Sequence, residues 1–215
     1  MATGSIQRLG NVEDGNTTSD YEPEEIKRKS SIQATVAPIY ISGKKLNFVD
    51  APGYPDFVGE AISALSAGDA VLLLVAAQAS VEVGTEIAWN MCESRSLPRM
   101  IFVNKMDREN ADFFRCMESI RAVLGRKCVA IQVPLGSEQN FSGVVNLLDS
   151  TASGTLSPEI DKVREQLIEA VAETDEDLTI KYLEEGTLSD AEVSKALRNA
   201  VASGDIVPVI AGSST

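Results

Sequence analysis

The chain has 215 residues, of which 44% are hydrophobic and 24% are charged. These proportions are typical of a folded domain and exclude a wholly disordered, collagen-like or coiled-coil chain. The net charge of −13 disfavours broad adhesion to nucleic acid and predicts no sequence-specific nucleic-acid partner, while the absence of histidine excludes Ser-His-Asp and Cys-His catalysis and His-ligated metals.

The first part of the chain is predicted to hold a polar opening followed by a β-hairpin. Residues 1–31 are rich in polar and turn-forming types, so we expect them to lack stable structure unless a ligand orders them. Alternating apolar and β-branched residues predict a strand over 34–41, with 46–49 as its antiparallel partner across a turn at 42–45. The hairpin therefore precedes the rest of the fold.

A helix and a fully apolar strand are predicted next. The helix begins at Pro55 and ends at Gly68, and the apolar run Val71–Val75 is typical of a strand covered by helices on both faces. The longest apolar stretch, 70–77, is too short to cross a bilayer, and no basic segment followed by a hydrophobic one opens the chain. We therefore expect a cytoplasmic protein with no membrane partner.

Helices and strands alternate over the middle of the chain. A helix is predicted around 83–93, a strand over 100–103 and another helix over 111–124, an order that indicates a doubly wound α/β sheet. Ligands of such sheets bind beyond the carboxyl ends of the strands. The residues that follow Val49 and Val103 are therefore the places where we expect function.

The last part of the chain is mostly helical by its pattern. Capping residues at Ser157, Thr174 and Ser189 predict the beginnings of three helices. We interpret this stretch as a subdomain inserted before a final strand over 206–210. Pro208 removes one backbone donor from that strand, which favours an edge position in the sheet.

The sharpest chemical signal is Asn104-Lys105-Met106-Asp107, directly after a buried strand. The Asp107 carboxylate can accept hydrogen bonds from the ring N–H and the exocyclic amine of guanine, a donor pair that adenine lacks. Asn104 can bridge the nucleotide and the protein backbone. Because Asn and Asp also favour strand-to-helix corners as ordinary helix caps, this motif alone leaves both interpretations open.

Two further short motifs follow predicted strands. Asp50-Ala51-Pro52-Gly53 ends the second strand, and Gly212-Ser213-Ser214 ends the last one. In a nucleotide site such an aspartate holds magnesium, usually through water, the glycine N–H meets the terminal phosphate, and a Gly-Ser turn approaches the guanine carbonyl. Each motif alone is more often a plain turn, but the three together on three strand ends predict a guanine-nucleotide site.

With these motifs the chain resembles the GTPase domain of the elongation factor G family over essentially its whole length. Thr3-Gly4-Ser5-Ile6 through Gly15 resembles the segment that leads into the first switch of that family. Phe102–Arg108 resembles its base-recognition strand, and 132–149 resembles the start of its characteristic insert. The capped helices that follow are similar to the rest of that insert.

The resemblance implies an α/β fold, a doubly wound P-loop-type GTPase sheet that lacks its first strand, with a helical α/β insert before its last strand. It assigns the GTPase core to 1–131 and 206–215, with switch one at about 10–33, and the inserted subdomain to 132–205. No G-x-x-x-x-G-K-[ST] phosphate loop occurs in the sequence. We expect the chain to begin just downstream of that loop, so that a central strand is absent as well.

Two places depart from the family pattern. The switch-one threonine that ligates magnesium falls on Ser31, after Lys29 in place of a glycine, and the histidine that orients the attacking water falls on Tyr54. Serine keeps the hydroxyl but is more mobile, and a phenol is a poor base at neutral pH, so we expect a looser switch and slow hydrolysis. Alternatively, Ser31 is a solvated loop serine and Tyr54 only packs beside Pro55.

The resemblance implies that GTP or GDP and Mg²⁺ are the cofactors of the full-length parent. It assigns water positioning to Tyr54 and the magnesium ion to Ser31 and Asp50. The residues that it assigns to GTP binding are Asp50, Gly53, Asn104, Lys105, Asp107, Gly212, Ser213 and Ser214. Without a phosphate loop, the chain alone is expected to be inactive.

The function that the resemblance implies is that of a ribosomal translation factor, which couples GTP hydrolysis to the translocation of tRNA and mRNA. The ribosome is the expected partner, including a stalk protein that the insert contacts through acidic helix faces carrying Glu165, Glu169 and Glu173. A solvated helix face is the plainer interpretation of those acids. The alternative function is a regulatory or ribosome-binding module of the same family with little or no GTP turnover.

Overall fold

The computed structural model describes residues 10–149 and 157–214, and the chain divides into two units, Met1–Gly68 and Asp69–Thr215. The family-like stretch Thr3 to Ile6 lies outside the described residues. Within the two described ranges, no helix is both long and apolar enough to cross a membrane.

The first unit contains the predicted β-hairpin. Its strands are β1 (Thr35–Ile41) and β2 (Lys44–Asp50), paired antiparallel in a sheet of their own. Ser42 and Gly43 have φ angles of 50° and 76°, as a two-residue type I′ turn requires. The turn is therefore shorter than predicted, because the two lysines that follow it already belong to β2.

A short helix forms in the opening segment, contrary to the prediction. Helix α1 (Pro23–Arg28) is stabilised by the carboxylate of Glu25, which is only 1% exposed. This carboxylate accepts hydrogen bonds from the N–H groups of Ile32 at 2.9 Å, Gln33 at 3.1 Å and Glu22 at 3.1 Å. Burial alone would raise the pKa of Glu25, but these donors outweigh it and lower the pKa. One buried acid thus orders a segment that has few apolar residues.

The predicted helix after Pro55 is also present. It begins as a 3-10 turn, Pro55–Phe57, and continues as α2 (Val58–Ala67) up to Gly68. The Glu60 carboxylate of α2 accepts a hydrogen bond from the N–H of Ala34 at 2.9 Å, which ties the helix to the residue before β1.

The second unit holds the remaining elements. In chain order they are β3 (Val71–Ala76), α3 (Val83–Ser94), β4 (Arg99–Asn104), α4 (Phe113–Leu124), β5 (Cys128–Ala130), β6 (Gln132–Leu135), β7 (Gly143–Asn146), α5 (Pro158–Ala172), α6 (Glu176–Glu185), α7 (Asp190–Ser203) and β8 (Val207–Ala211). This order confirms the predicted alternation of strands and helices. Strand β5 has no counterpart in the sequence prediction, since its three residues are too few to show a period.

Four parallel strands form the main sheet, in the order β3, β4, β8, β5. Strands β6 and β7 form a separate antiparallel pair. The core lies against the main sheet, with Ile101 and Val103 of β4, Val209 of β8, Ile120 of α4 and Leu167 of α5 all fully buried. Because β4 and β8 are central, the loops that follow their carboxyl ends lie side by side.

The predicted edge position of Pro208 is wrong, because β8 lies between β4 and β5. The N–H of Val207 donates to the carbonyl of Lys127 at 2.8 Å, and the carbonyl of Val209 accepts from Ile131 at 2.9 Å, so these two residues bond to the β5 side. The nitrogen of Pro208 points the other way, and pairing with β4 begins only at Val209. The N–H that Pro208 lacks would therefore lie just outside the hydrogen-bonded ladder between β8 and β4.

The expectation that helices cover both faces of the Val71–Val75 strand is wrong as well. Leu72 is 44% exposed and Leu74 is 61% exposed, whereas Leu73 and Val75 of the same strand are buried. Among the strands that the structure describes, β3 is also an edge strand of its sheet. A continuous apolar run does not by itself distinguish a covered face from an open one.

The three helices near the end of the described chain begin at or close to the predicted caps. Ser189 caps α7 as predicted, and its hydroxyl and the Glu192 carboxylate form a capping box. Helix α6 instead begins after Asp175, whose carboxylate accepts from the N–H of Leu178 at 3.1 Å, so the cap predicted at Thr174 is wrong by one residue. Helix α5 packs against both α6 and α7.

A cationic cluster surrounds Trp89, the one tryptophan of the sequence, at the amino end of β4. The guanidinium of Arg99 lies 4.1 Å from the centroid of the indole ring, and the Lys127 ammonium lies 5.2 Å from it. Both cations also pair with the carboxylate of Glu93. The hydrogen bond from Lys127 is the largest influence on the pKa of Glu93, and with the charge of Arg99 it outweighs burial and lowers that pKa. Arg99 is thus buried against an aromatic face and an acid.

Candidate functional site

The base-recognition motif forms a sharp turn at the end of β4. The side-chain oxygen of Asn104 accepts a hydrogen bond from the N–H of Lys105 at 2.8 Å, and its backbone carbonyl accepts from Ala77 at 2.9 Å. Lys105 adopts a left-handed conformation, with φ of 62°. Asn104 was predicted to bridge the nucleotide and the protein backbone, and its side chain makes the contact to the backbone.

The backbone of Met106 connects this turn to two other segments. Its N–H donates to the carbonyl of Gly212 at 3.2 Å, and its carbonyl accepts from the N–H of Glu138 at 2.8 Å. The Met106 side chain is fully buried. The turn is thus held between the segment after β8 and the β6–β7 hairpin.

The side chain of Asp107 meets the Gly-Ser motif directly. The hydroxyl of Ser213 donates to Asp107 Oδ1, and Nε of Arg108 lies 3.7 Å from Asp107 Oδ2. A carboxylate has about four lone-pair positions, so it can accept from a protein donor and from a bound base together. The serine motif therefore orients the carboxylate that the sequence assigns to guanine.

Gly212 lies close to the Phe102 ring of β4. Its N–H donates to the carbonyl of Val103 at 3.0 Å, and a Cβ added at this residue would lie 2.8 Å from the end of the Phe102 ring. Ser214 follows and is exposed. Of the predicted guanine-contacting residues, those of the Asn104 and Gly212 motifs thus come together at the carboxyl ends of β4 and β8.

Glu138 is a residue of this region that sequence reasoning missed. It lies in a short 3-10 turn, Glu138–Asn140, between β6 and β7, and its carboxylate accepts from the N–H of Asn110 at 2.6 Å. Both its backbone and its side chain therefore contact the turn after β4. The only sequence signal is a glycine two residues earlier, Gly136, which marks a turn but no role.

We expect Gly136→Ala to lower the free energy of unfolding by about 1–3 kcal/mol. Gly136 has φ of 75°, and a Cβ there would lie 2.2 Å from the backbone oxygen of Asn140. Gly59→Ala in α2 is the control, because a Cβ at Gly59 meets no described atom within 4 Å. Urea denaturation followed by circular dichroism measures both variants. Equal stability of Gly136→Ala and the parent would contradict the strained turn.

The second motif lies in the first unit, where β2 ends. Asp50 is the last residue of β2, opposite Thr35, and its side chain is exposed. Gly53 is exposed, and no atom of the described residues lies within 4 Å of an added Cβ, so packing there does not demand a glycine. Tyr54 is 62% exposed and precedes the 3-10 turn, and its carbonyl accepts from Phe57 at 3.0 Å. Most of the Tyr54 side chain is therefore not packed against the rest of the described structure.

Ser31 is held by a neighbouring acid in the same unit. Its hydroxyl donates to Asp20 Oδ1 at 2.6 Å, and the hydroxyl of Thr17 lies 3.5 Å from Asp20 Oδ2. The simple picture of a solvated loop serine is therefore incomplete, because this hydroxyl has a protein acceptor. The sequence analysis did not predict this contact between Ser31 and Asp20.

The donor atoms of Ser31 and Asp50 suit a magnesium ion by type. Magnesium is a hard cation that takes oxygen ligands, and it usually keeps several waters together with one or two carboxylates and substrate phosphates. The exposed Asp50 carboxylate and the Ser31 hydroxyl, already bonded to an acid, supply such oxygens. Within the described ranges, no group of three or more acidic, histidine or cysteine side chains is arranged for a metal.

The chain is similar to known proteins over essentially its whole length. The family model described as the elongation factor Tu GTP binding domain matches residues 1–215. Elongation factor G of Thermotoga petrophila is 34% identical over 226 residues, covering 98% of this chain and 32% of that protein. A crystal structure of a Thermus thermophilus protein matches with a TM-score of 0.87 and 36% identity, covering 99% of this chain and 34% of that one. The chain thus spans about a third of each relative.

These matches confirm the resemblance to the elongation factor G family and the α/β fold of a P-loop-type GTPase.

Proposed function

The chain belongs to the family of the elongation factor Tu GTP-binding domain, and we propose that it is the guanine-recognition part of a ribosomal elongation factor. In this proposal the whole protein couples GTP hydrolysis to the translocation of tRNA and mRNA, in the cytoplasm. The observation that carries the base-recognition part is the contact between Ser213 and Asp107 at the ends of two central strands.

The Asp107 carboxylate supplies the selectivity for guanine. A carboxylate accepts from both the ring N–H and the exocyclic amine of guanine, whereas adenine presents no such pair of donors. The Ser213 hydroxyl fixes one carboxylate oxygen, and the buried Met106 fixes the backbone beside it. The orientation of the carboxylate is therefore set before the nucleotide arrives, which reduces the ordering cost of binding.

The other assigned residues act at the phosphates in this proposal. Asp50 and Ser31 hold Mg²⁺, which would neutralise developing phosphate charge when bound, and the Gly53 N–H donates to the terminal phosphate. Tyr54 positions the attacking water through its phenol, and its ring is exposed enough to turn toward a ligand. The Ser31 hydroxyl donates its hydrogen to Asp20, and a lone pair of the same oxygen would remain free to ligate the metal.

The predicted absence of a first strand is also part of the proposal. Strand β3 is an edge strand among those described, and Leu72 and Leu74 on one of its faces are exposed. A further parallel strand would pair with this edge, and the helix after that strand would cover the two leucines. Such a strand and helix would carry the phosphate loop.

The proposed partner of the insert is a basic surface on a ribosomal stalk protein. Glu165, Glu169 and Glu173 recur every four residues along α5 and just past its end, and all three are exposed. That spacing places the acids on one face of the helix. Charge complementarity of this kind favours rapid association with a basic partner.

A regulatory module with little GTP turnover is the second candidate. Lys29 ends α1 in a left-handed conformation, with φ of 56°, at the place where the resemblance puts a glycine. A lysine is strained there in a way that glycine is not. Together with Tyr54 in place of a histidine, this departure favours slow or absent hydrolysis in the whole protein.

The 215-residue chain alone is expected to bind guanine nucleotide only weakly. The sequence contains no phosphate-loop motif, whose backbone N–H groups and lysine would bind the phosphates. Titration with a fluorescent GTP analogue measures the affinity. A protein that also carries the loop should gain several kcal/mol of binding free energy, each tenfold in affinity being worth about 1.4 kcal/mol. Submicromolar binding by this chain alone would contradict the assignment.

A further inference from the structure

We propose that Glu138 positions the guanine-reading turn, so that the inserted region contributes to base selectivity. This inference rests on the proposed function, because it concerns how Asp107 is held for a guanine base. Glu138 does not itself contact the base in this proposal. It acts through the backbone of the segment 106–110, which carries Asp107, and is therefore a positioning residue.

One residue holds this segment at both of its ends. The N–H of Glu138 donates to the carbonyl of Met106 at 2.8 Å, and its carboxylate accepts from the N–H of Asn110 at 2.6 Å. Asp107 lies between those two points. The hydrogen bond to the carboxylate is charge-assisted, which makes it stronger than a neutral one.

The turn that carries Glu138 is itself well fixed. The N–H of Phe141 donates to the carbonyl of Glu138 at 3.1 Å, and the N–H of Ser142 donates to the carbonyl of Leu135 at 2.9 Å. At the other end of the hairpin, the N–H of Leu147 donates to the carbonyl of Ile131 at 3.0 Å. The hairpin thus gives Glu138 a defined place relative to the main sheet.

The segment that Glu138 contacts has an unusual backbone. Lys105 and Asn110 flank it with φ of 62° and 63°, and Glu138 has φ of 54°. Residues other than glycine hold such conformations when surrounding contacts fix them. Without the Glu138 carboxylate, the Asn110 end would lose this acceptor, and the backbone that carries Asp107 would sample a wider range of orientations.

The inference predicts a specific change in selectivity. Inosine triphosphate lacks the exocyclic amine of guanine, so the ratio of GTP to inosine triphosphate affinity reports how well Asp107 meets that amine. Glu138→Ala should lower this ratio about three- to tenfold, which corresponds to about 0.7–1.4 kcal/mol. Glu138→Gln keeps an acceptor oxygen in the same place and should retain most of the ratio.

The experiment measures two quantities on Glu138→Ala, Glu138→Gln and the control Glu118→Ala, which removes an exposed carboxylate of α4. The first is hydrogen exchange at the Asn110 amide, without nucleotide. The second is the dissociation constant of the whole protein for GTP and for inosine triphosphate. We expect faster exchange and a lower ratio in Glu138→Ala, with Glu118→Ala unchanged in both.

Each failure has a distinct meaning. Parental exchange at Asn110 in Glu138→Ala would overturn the contact itself. Faster exchange with an unchanged ratio would overturn the positioning role while leaving the contact and the guanine site intact. A parent protein that does not distinguish the two nucleotides would overturn the proposed base recognition, and the inference with it. If Glu138→Ala does not fold, Glu138→Asp shortens the carboxylate by one methylene and is judged by the same two measurements.

Discussion

Asp107→Asn in the whole protein is expected to weaken GTP binding and to strengthen binding of xanthosine triphosphate. The amide of asparagine donates a hydrogen bond to the xanthine carbonyl that replaces the exocyclic amine of guanine, whereas it cannot accept both guanine donors. A bidentate pair discriminates between bases by about 1–3 kcal/mol, or about 5- to 150-fold in relative affinity. Competition binding with the two nucleotides measures the change.

The control for this experiment is Glu109→Gln. Glu109 is exposed two residues further along the same turn, so its substitution removes the same charge near the site without changing the base-reading group. Its base preference should equal that of the parent. An unchanged preference in Asp107→Asn as well would mean that the turn after β4 is a structural corner and that the base is read elsewhere.

Tyr54→His is expected to raise the rate of ribosome-stimulated GTP hydrolysis while leaving GTP affinity nearly unchanged. An imidazole titrates near neutral pH and orients or deprotonates a water better than a phenol does. Groups that act on the attacking water contribute in the transition state, so the effect belongs in kcat, at about 10²- to 10⁴-fold. Single-turnover hydrolysis on ribosomes measures it.

Tyr54→Phe separates the phenol from its ring. Tyr54 is 62% exposed, so removing its hydroxyl should cost little stability. A further fall in kcat would then show that the phenol itself holds the water. If both variants hydrolyse GTP on ribosomes at the parental rate, Tyr54 has no catalytic role and the assignment of water positioning to it is wrong.

The sequence was most informative where chemistry and secondary structure coincide. Asn104 and Asp107 follow an apolar run that predicts β4, and ligands of doubly wound sheets bind beyond the carboxyl ends of such strands. The Gly212-Ser213 motif likewise follows β8. The sequence pattern predicted both strands, and the motifs at their ends predicted a nucleotide site there, but it did not predict that the two strands are neighbours in the sheet.

Contacts between distant segments could not be predicted in the same way. Glu138 and Asn110 are 28 residues apart, and their hydrogen bond depends on where the β6–β7 hairpin folds back. Asp20 and Ser31 meet because α1 turns the chain between them. The prediction that Pro208 lies in an edge strand was wrong for a related reason. Pairing of β8 with β4 begins only at Val209, so the N–H that Pro208 lacks is not needed.

The indole stacked under Arg99 determines what optical spectroscopy can observe in this chain. With a single tryptophan, all of the intrinsic indole emission comes from α3, beside the amino end of β4, while Asn104 stands at the opposite end of that strand. The emission therefore reports whether the parallel sheet is folded and whether Arg99 and Lys127 remain over the ring. A nucleotide bound beyond Asn104 would lie at the far end of β4 from the indole, so nucleotide binding there is expected to change this emission little.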